Sequence, residues 1–251
     1  MYVVRMACNS LPMWPNQALK WDAPTVSALF WLGHARPLSL SFGGSDMKAG
    51  IKTTARLRCL RPVLRKWIAL NRQLGARWSS GGDVAWWYNE RALISVFAGA
   101  VWQSGGYAFE EFSERKRGKK RLLSGRIDLE FTAGQHEFLA EVKQCELAAT
   151  ARRDRTDHVR GFMDKAKADV RRCRPDGRRR IAIVFGAPYV AKHRRAEMDD
   201  RIEWLVDQAG EIHDNIEADA VAWTFPSPRR LPTYQGWVCP GIIAWIREVR
   251  R

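Results

Sequence analysis

The stretch GRIDLEFTAGQHEFLAEVKQ, from Gly125 to Gln144, decides how this chain is read. Arg126 to Phe131 and Phe138 to Lys143 each largely alternate polar and apolar residues, the period of a half-buried strand, and Thr132 to Glu137 form the turn between them. The two strands are expected to pair as an antiparallel hairpin. If Phe131 faces Phe138, Asp128 falls opposite Glu141. Residues opposed across the pair, or two apart on one strand, share a face. One face then gathers Asp128, Glu130, Glu141 and Lys143, with Leu139 as its apolar member. The other holds Ile127, Leu129, Phe131, Phe138, Ala140 and Val142.

Two carboxylates directly opposite destabilise a hairpin unless something neutralises them. One reading supplies a divalent cation with oxygen ligands: Mg2+, with Mn2+ as a substitute, held by Asp128 and Glu141 and completed by water and substrate phosphate. Lys143 would then orient or deprotonate the attacking water, or stabilise the pentacovalent charge. The other reading is a solvated face on which Arg126 and Lys143 pair with the acids. The residues alone leave both open.

Upstream, a helix is expected from about Asp83 to Gln103, opened by the Ser79 to Asp83 turn and closed by Gly105 and Gly106. At about 100° per residue, Glu90 lines up with Ile94, Phe97 and Val101, placing a carboxylate within an apolar stripe. An unpaired buried carboxylate is costly, so Glu90 either faces a cation or a wet site, is satisfied by Arg91 or another neighbouring base, or sits at the stripe's edge. Trp86, Trp87 and Trp102 on this helix read as core. Tyr107 to Phe112 reads as a strand and is followed by the basic run SERKRGKKR, Ser113 to Arg121.

Downstream, Ala148 to Arg174 reads as a long charged helix ended by Pro175, Asp176 and Gly177, and Ile181 to Phe185 as a strand buried on both faces. Met198 to Gln208 is expected to be helical, Ala218 to Phe225 a strand and Gly241 to Val249 a closing helix. On the N-terminal side, 47–82 is expected to be a basic helical arm, Arg56, Arg58, Arg61, Arg65 and Lys66 alternating with Leu57, Leu60, Leu64, Trp67 and Leu70; its bases are read as a solvated face rather than a phosphate grip. Residues 1–46, interrupted by Pro12, Pro15, Pro24 and Pro37, read as a poorly ordered extension, and one reading starts translation at Met47. The expected main domain is 83–251.

Lys and Arg number 42 against 27 Asp and Glu, a net charge of +15, which draws the chain to polyanions, nucleic acid first. No apolar run approaches the roughly 20 residues of a membrane span. Cys8, Cys59, Cys145, Cys173 and Cys239 are widely spaced, without a CxxC pair, and suit a reducing cytoplasm as small buried side chains. No internal repeat, phosphate-cradling GxxxxGK[ST] loop, HExxH or GxSxG is present.

GRIDLEF, followed by Glu141, Val142 and Lys143 with twelve residues between Asp128 and Glu141, resembles the PD-(D/E)xK nuclease superfamily, which includes restriction endonucleases, phage exonucleases and junction resolvases. There the first acid lies on one strand and the ExK triplet on the next. The resemblance implies an α/β fold with a restriction endonuclease-like αβββαβ core, a mixed sheet flanked by helices. It covers about residues 83 to 187, with Ile127 where the family name has proline. Many members bring a first-helix glutamate to the metal, which falls on Glu90. The implied metal ligands are Asp128, Glu141 and Glu90, with Lys143 beside them in catalysis. Further polar residues of such sites fall on Gln144, His158 and Lys165, each of which also reads as an ordinary strand-end or surface residue.

The expected function is therefore a metal-dependent phosphodiesterase acting on nucleic acid, DNA favoured over RNA, in restriction, repair, mobile-element or phage-defence biology. Arg117, Lys119, Lys120, Arg152, Arg153, Arg155 and Arg160 are the candidate phosphate contacts, which bind without reading bases. No separate recognition domain is evident, so cutting would be directed by structure, by a homodimer or by a partner protein. Two other classes remain: a binding module of the same fold without catalysis, and an assembly protein whose basic segments hold RNA.

Overall fold

The computed structural model describes residues 48–77, 84–117, 122–149, 154–174, 176–225, 233–234 and 236–250. The expected extension 1–46 and the Met47 start lie outside these residues. The strands are β1 (Lys48–Thr53), β2 (Ala108–Arg117), β3 (Leu122–Ala133), β4 (His136–Ala148), β5 (Arg179–Ala191), β6 (Ala220–Phe225), β7 (Thr233–Tyr234), β8 (Trp237–Val238) and β9 (Ile242–Glu248). The helices are α1 (Arg61–Arg77), α2 (Glu90–Gln103), α3 (Thr156–Arg171) and α4 (Met198–Asn215). The main sheet runs β1-β6-β9-β5-β4-β3-β2, with β8 paired to the end of β5 and β7 to β8. All its pairings are antiparallel except β4 with β5, which are parallel and joined through α3. No helix among the described residues is long and apolar enough to cross a membrane.

The central position of β5 follows from its sequence. Ile181, Ile183 and Phe185 face the core beneath α1 and α2, while Ala182 and Val184 face the core beneath α3 and α4. A strand apolar on both faces must be covered on both. Phe97 of α2 meets Phe131 edge-on with centroids 5.5 Å apart, and Phe131 stacks on Phe138 at 5.1 Å, so the hairpin's apolar face is the seat of α2.

Several elements differ from the sequence reading. Residues 48–77 are no separate arm: β1 extends the sheet beside β6, and Leu57, Leu60, Leu64 and Trp67 are fully buried in the core with α2. Arg58, Arg61, Arg65 and Lys66 do form a solvated face. The expected closing helix at 241–249 is instead β9, held between β5 and β6 with Ile242 to Ile246 buried, because its uninterrupted apolar run fits a strand covered on both faces. The first expected helix begins only at Glu90, where Asn89 accepts the N–H of Ala92; residues 85–87 form a separate 3-10 turn. In α2 the stripe of Ile94, Phe97 and Val101 is buried as expected, but Trp102 is 55% exposed. Strand β4 continues to Ala148, which shortens α3 to Thr156–Arg171, and the hairpin turn tightens to Gly134 and Gln135.

One ion pair joins the neighbouring central strands β5 and β9. Arg179 Nε donates to Glu248 Oε1 at 2.8 Å, and its guanidinium lies 4.9 Å from the centroid of the Phe138 ring. The Arg179 hydrogen bond holds the Glu248 carboxyl below its ordinary value of 4.5. A depressed carboxyl stabilises the fold above that ordinary value and loses the contribution as pH falls through the depressed one. Glu248→Gln is therefore expected to lower stability by about 1 kcal/mol at neutral pH. Urea titrations across pH should show the gap from the unaltered protein closing on acidification below 4.5; a gap that persists there would rule the ion pair out as its source.

Candidate functional site

The hairpin register holds from Ala133 opposite His136, through Phe131 opposite Phe138, to Leu129 opposite Ala140, and there it stops. The expected direct pairing of Asp128 with Glu141 is thus not made. On its other side, β3 pairs with β2 at Leu129 with Glu110 and again at Ile127 with Phe112, skipping Asp128 and Glu111. Glu111 has φ 55°, a left-handed backbone that ordinary side chains disfavour, and its carboxylate is gripped by Arg91 at 3.1 Å and Arg126 at 3.2 Å. The break changes the facing of β3. Ile127 leaves the apolar face of Leu129 and Phe131 and packs with Leu139 and Cys173.

Beyond Ala140, β4 therefore presents an edge that β3 no longer covers. Alternate residues of a strand point their N–H groups to the same edge, and a partly buried N–H needs an acceptor. Asp128 Oδ2 accepts the N–H of Val142 at 2.7 Å, and Glu90 Oε2 accepts the N–H of Gln144 at 3.1 Å. Two carboxylates from β3 and the first residue of α2 thus replace the missing ladder, at positions about 7 Å apart along β4. Lys143 Nζ donates to the Val142 carbonyl at 2.8 Å and lies 4.0 Å from Asp128 Oδ2 and 3.6 Å from Asp169 Oδ2.

Glu90, Asp128 and Lys143 are brought together as expected. Glu141 shares the α3-facing side of β4 with Lys143 but is more deeply buried: it is 3% exposed, with Cys173 Sγ 4.0 Å from its Oε1. Asp169 was not singled out in the sequence. The signal was there, because an acid in the last turn of a helix lies at the negative end of the dipole and requires a nearby cation. Arg91 pairs with Glu111 rather than Glu90, and Glu130 pairs with Arg178 at 3.2 Å rather than joining Asp128 and Lys143.

The remaining expected residues divide. Gln144 donates its side-chain amide to Tyr88 O at 3.3 Å, and His158 Nε2 lies 3.1 Å from Glu146 O. Lys165 is exposed over the Phe162 ring. Arg155 donates to Ala148 O at 2.8 Å, and Arg160 pairs with Asp157 and reaches Asn215 O at 3.3 Å, so both take part in the fold. The backbone of Arg117 ends β2, while Lys119, Lys120, Arg152 and Arg153 lie outside the described residues. Cys145 and Cys173 are buried free thiols, Cys59 and Cys239 half-buried ones.

Among the described residues no three His, Cys, Asp or Glu side chains form a metal-holding group. Asp128 and Glu90 nevertheless lie on the same strand edge, and Mg2+ is commonly held by one or two carboxylates together with waters and substrate phosphate. Burial raises the Glu90 carboxyl above 4.5 and Asp128 and Asp169 add to the rise, against the opposing pull of Lys143 and the Gln144 N–H. Comparison with protein-family models, curated proteins and solved structures returns no match for this chain.

A raised carboxyl pKa means that the folded state holds the proton more tightly, so stability falls as pH rises from 4.5 through the raised value. Glu90→Gln keeps an acceptor for Gln144 and removes the charge. In chelator it is expected to raise the thermal midpoint at neutral pH, with the gain disappearing below pH 4.5. A lower midpoint at neutral pH would show that the charge at Glu90 is stabilising.

Proposed function

We propose that the chain is a metal-dependent nuclease that hydrolyses phosphodiester bonds, most naturally in DNA. The observation that carries this is the fork itself: Asp128 and Glu90 on one open strand edge, with Lys143 between Asp128 and Asp169. The order α2, β2, β3, β4, α3, β5, with β4 parallel to β5, supports the likeness to the restriction endonuclease-like core. The excess of 42 basic over 27 acidic residues supports a polyanionic substrate.

In this reading Asp128 and Glu90 hold one Mg2+ or Mn2+, which polarises the scissile phosphate and the attacking water when bound. Glu141, buried one residue before Val142, would join in holding the cation or position the strand. Lys143 places a positive charge beside the phosphate as its negative charge grows, or orients the water. Asp169 holds the Lys143 ammonium in that place. Arg155 and Arg160 stand near the end of β4 and on α3, where a strand leaving the site meets positive charge.

The test is incubation of the purified protein with plasmid, linear and single-stranded DNA, and RNA, in magnesium, manganese or chelator. Cleavage is expected only with metal. Asp128→Asn, which keeps an acceptor for Val142 N–H, and Lys143→Ala should each lower the rate roughly 100-fold or more. Cleavage that survives in chelator or in Asp128→Asn would remove the proposed centre. Binding of DNA without cleavage in any metal would favour the binding module of the same fold, which the ion-paired state of Lys143 also accommodates.

A further inference from the structure

On the opposite side of the β4 edge from Lys143 lies a cavity of about 350 Å³, walled by Trp86, Trp87, Tyr88, Tyr189 and Trp237. Such a volume lies within the range of small-molecule sites, and none of the cavity's described lining residues is basic, so it suits a flat aromatic group rather than a phosphate. Part of this aromatic lining reaches solvent. Tyr88 is 53% and Trp237 43% exposed, and Trp237 is braced edge-on by Tyr189 with centroids 5.1 Å apart and planes at 88°. The floor is fixed, since Trp86 is buried and its indole N–H donates to Cys239 O at 3.2 Å.

Gln144 links the cavity to the fork. Gln144, on its wall, follows Lys143 directly, donates its amide to Tyr88 O and gives its backbone N–H to Glu90. Tyr88 in turn lies two residues before Glu90. Glu146, also on the wall, adds a carboxylate that can accept from an exocyclic amine. A nucleotide whose phosphate met Lys143 would find aromatic surfaces and hydrogen-bonding groups beside it, reached over the open edge of β4.

We infer that this cavity is a stacking site for an unpaired nucleobase, so that the substrate is nucleic acid with a single-stranded nucleotide at the fork. The inference rests on the nuclease reading for the identity of the polymer. A paired base cannot enter, because its faces are covered by its neighbours in the duplex. The site selects for single-strandedness rather than for sequence, since every base offers a stacking face.

Binding measured in chelator separates this inference from catalysis. Fluorescence anisotropy would compare an oligothymidine of about 15 nucleotides with an abasic strand and a blunt duplex of equal length. The oligothymidine should bind more tightly than both. Tyr88→Ala and Trp237→Ala should each weaken it roughly 5-fold or more and leave the abasic strand unchanged, while Trp237→Phe restores most of the loss. Both positions are half-exposed, so folding survives the changes, and circular dichroism verifies it. Equal affinity for the abasic strand, or equal weakening of both strands in the variants, overturns the stacking site. If the preference holds and no metal supports cleavage, the stacking site stands and the nuclease reading falls.

Discussion

Where β3 parts from β4 after Ala140, the backbone N–H groups of Val142 and Gln144 lose the partners that an unbroken ladder would provide. Buried amide groups are almost always satisfied, because an orphaned donor costs about as much as a lost hydrogen bond. Here the replacements are carboxylates, Asp128 from the departing strand and Glu90 from the start of α2. A carboxylate has more acceptor sites than one N–H consumes, so each retains capacity for a cation or a water. The groups that close the fold at this edge are thus the groups on which the proposed chemistry rests. On the other side of β3, Glu111 of β2, with a left-handed backbone held by Arg91 and Arg126, sits opposite the skipped Asp128.

The surrounding elements aim the side chains at this edge. Trp86 is anchored to Cys239 O and Asn89 caps α2, so the short segment between them carries both the aromatic wall and Glu90 into position. On the other face, α3 bridges β4 and β5 and brings Asp169 in its final turn to Lys143. Each of these two charges relieves the other: the carboxylate would otherwise face the negative end of its helix, and the ammonium would otherwise sit half-buried among carboxylates that it only partly balances. At Glu90 burial raises the carboxyl above 4.5, and Asp128 and Asp169 add to the rise against the pull of Lys143.

Much of this was legible along the chain because it depends on short-range periodicity. The alternation in Gly125 to Gln144 carries the hairpin and the register of Phe131 with Phe138, and the two-sided apolar run Ile181 to Phe185 carries the central strand. The same signal misleads at Gly241 to Val249. A short apolar run does not distinguish a strand from a buried helix, and only the gap between β5 and β6 makes it β9. Likewise the amphipathic pattern of Leu57, Leu64 and Trp67 shows an apolar face, but not that this face closes the main core.

The sequence by itself determined the hairpin and the apolar face of Leu129, Phe131 and Phe138, and it set Glu90 within an apolar stripe. Tertiary structure decided the rest of the site: where the ladder ends, that Glu90 meets Gln144 across 54 positions, that Asp169 meets Lys143, and that Glu141 lies against Cys173. The reason is physical. Periodicity reports the direction of a side chain relative to its own element, whereas hydrogen bonds and ion pairs across the fork depend on how separate elements pack, which β3, α2 and α3 settle only together.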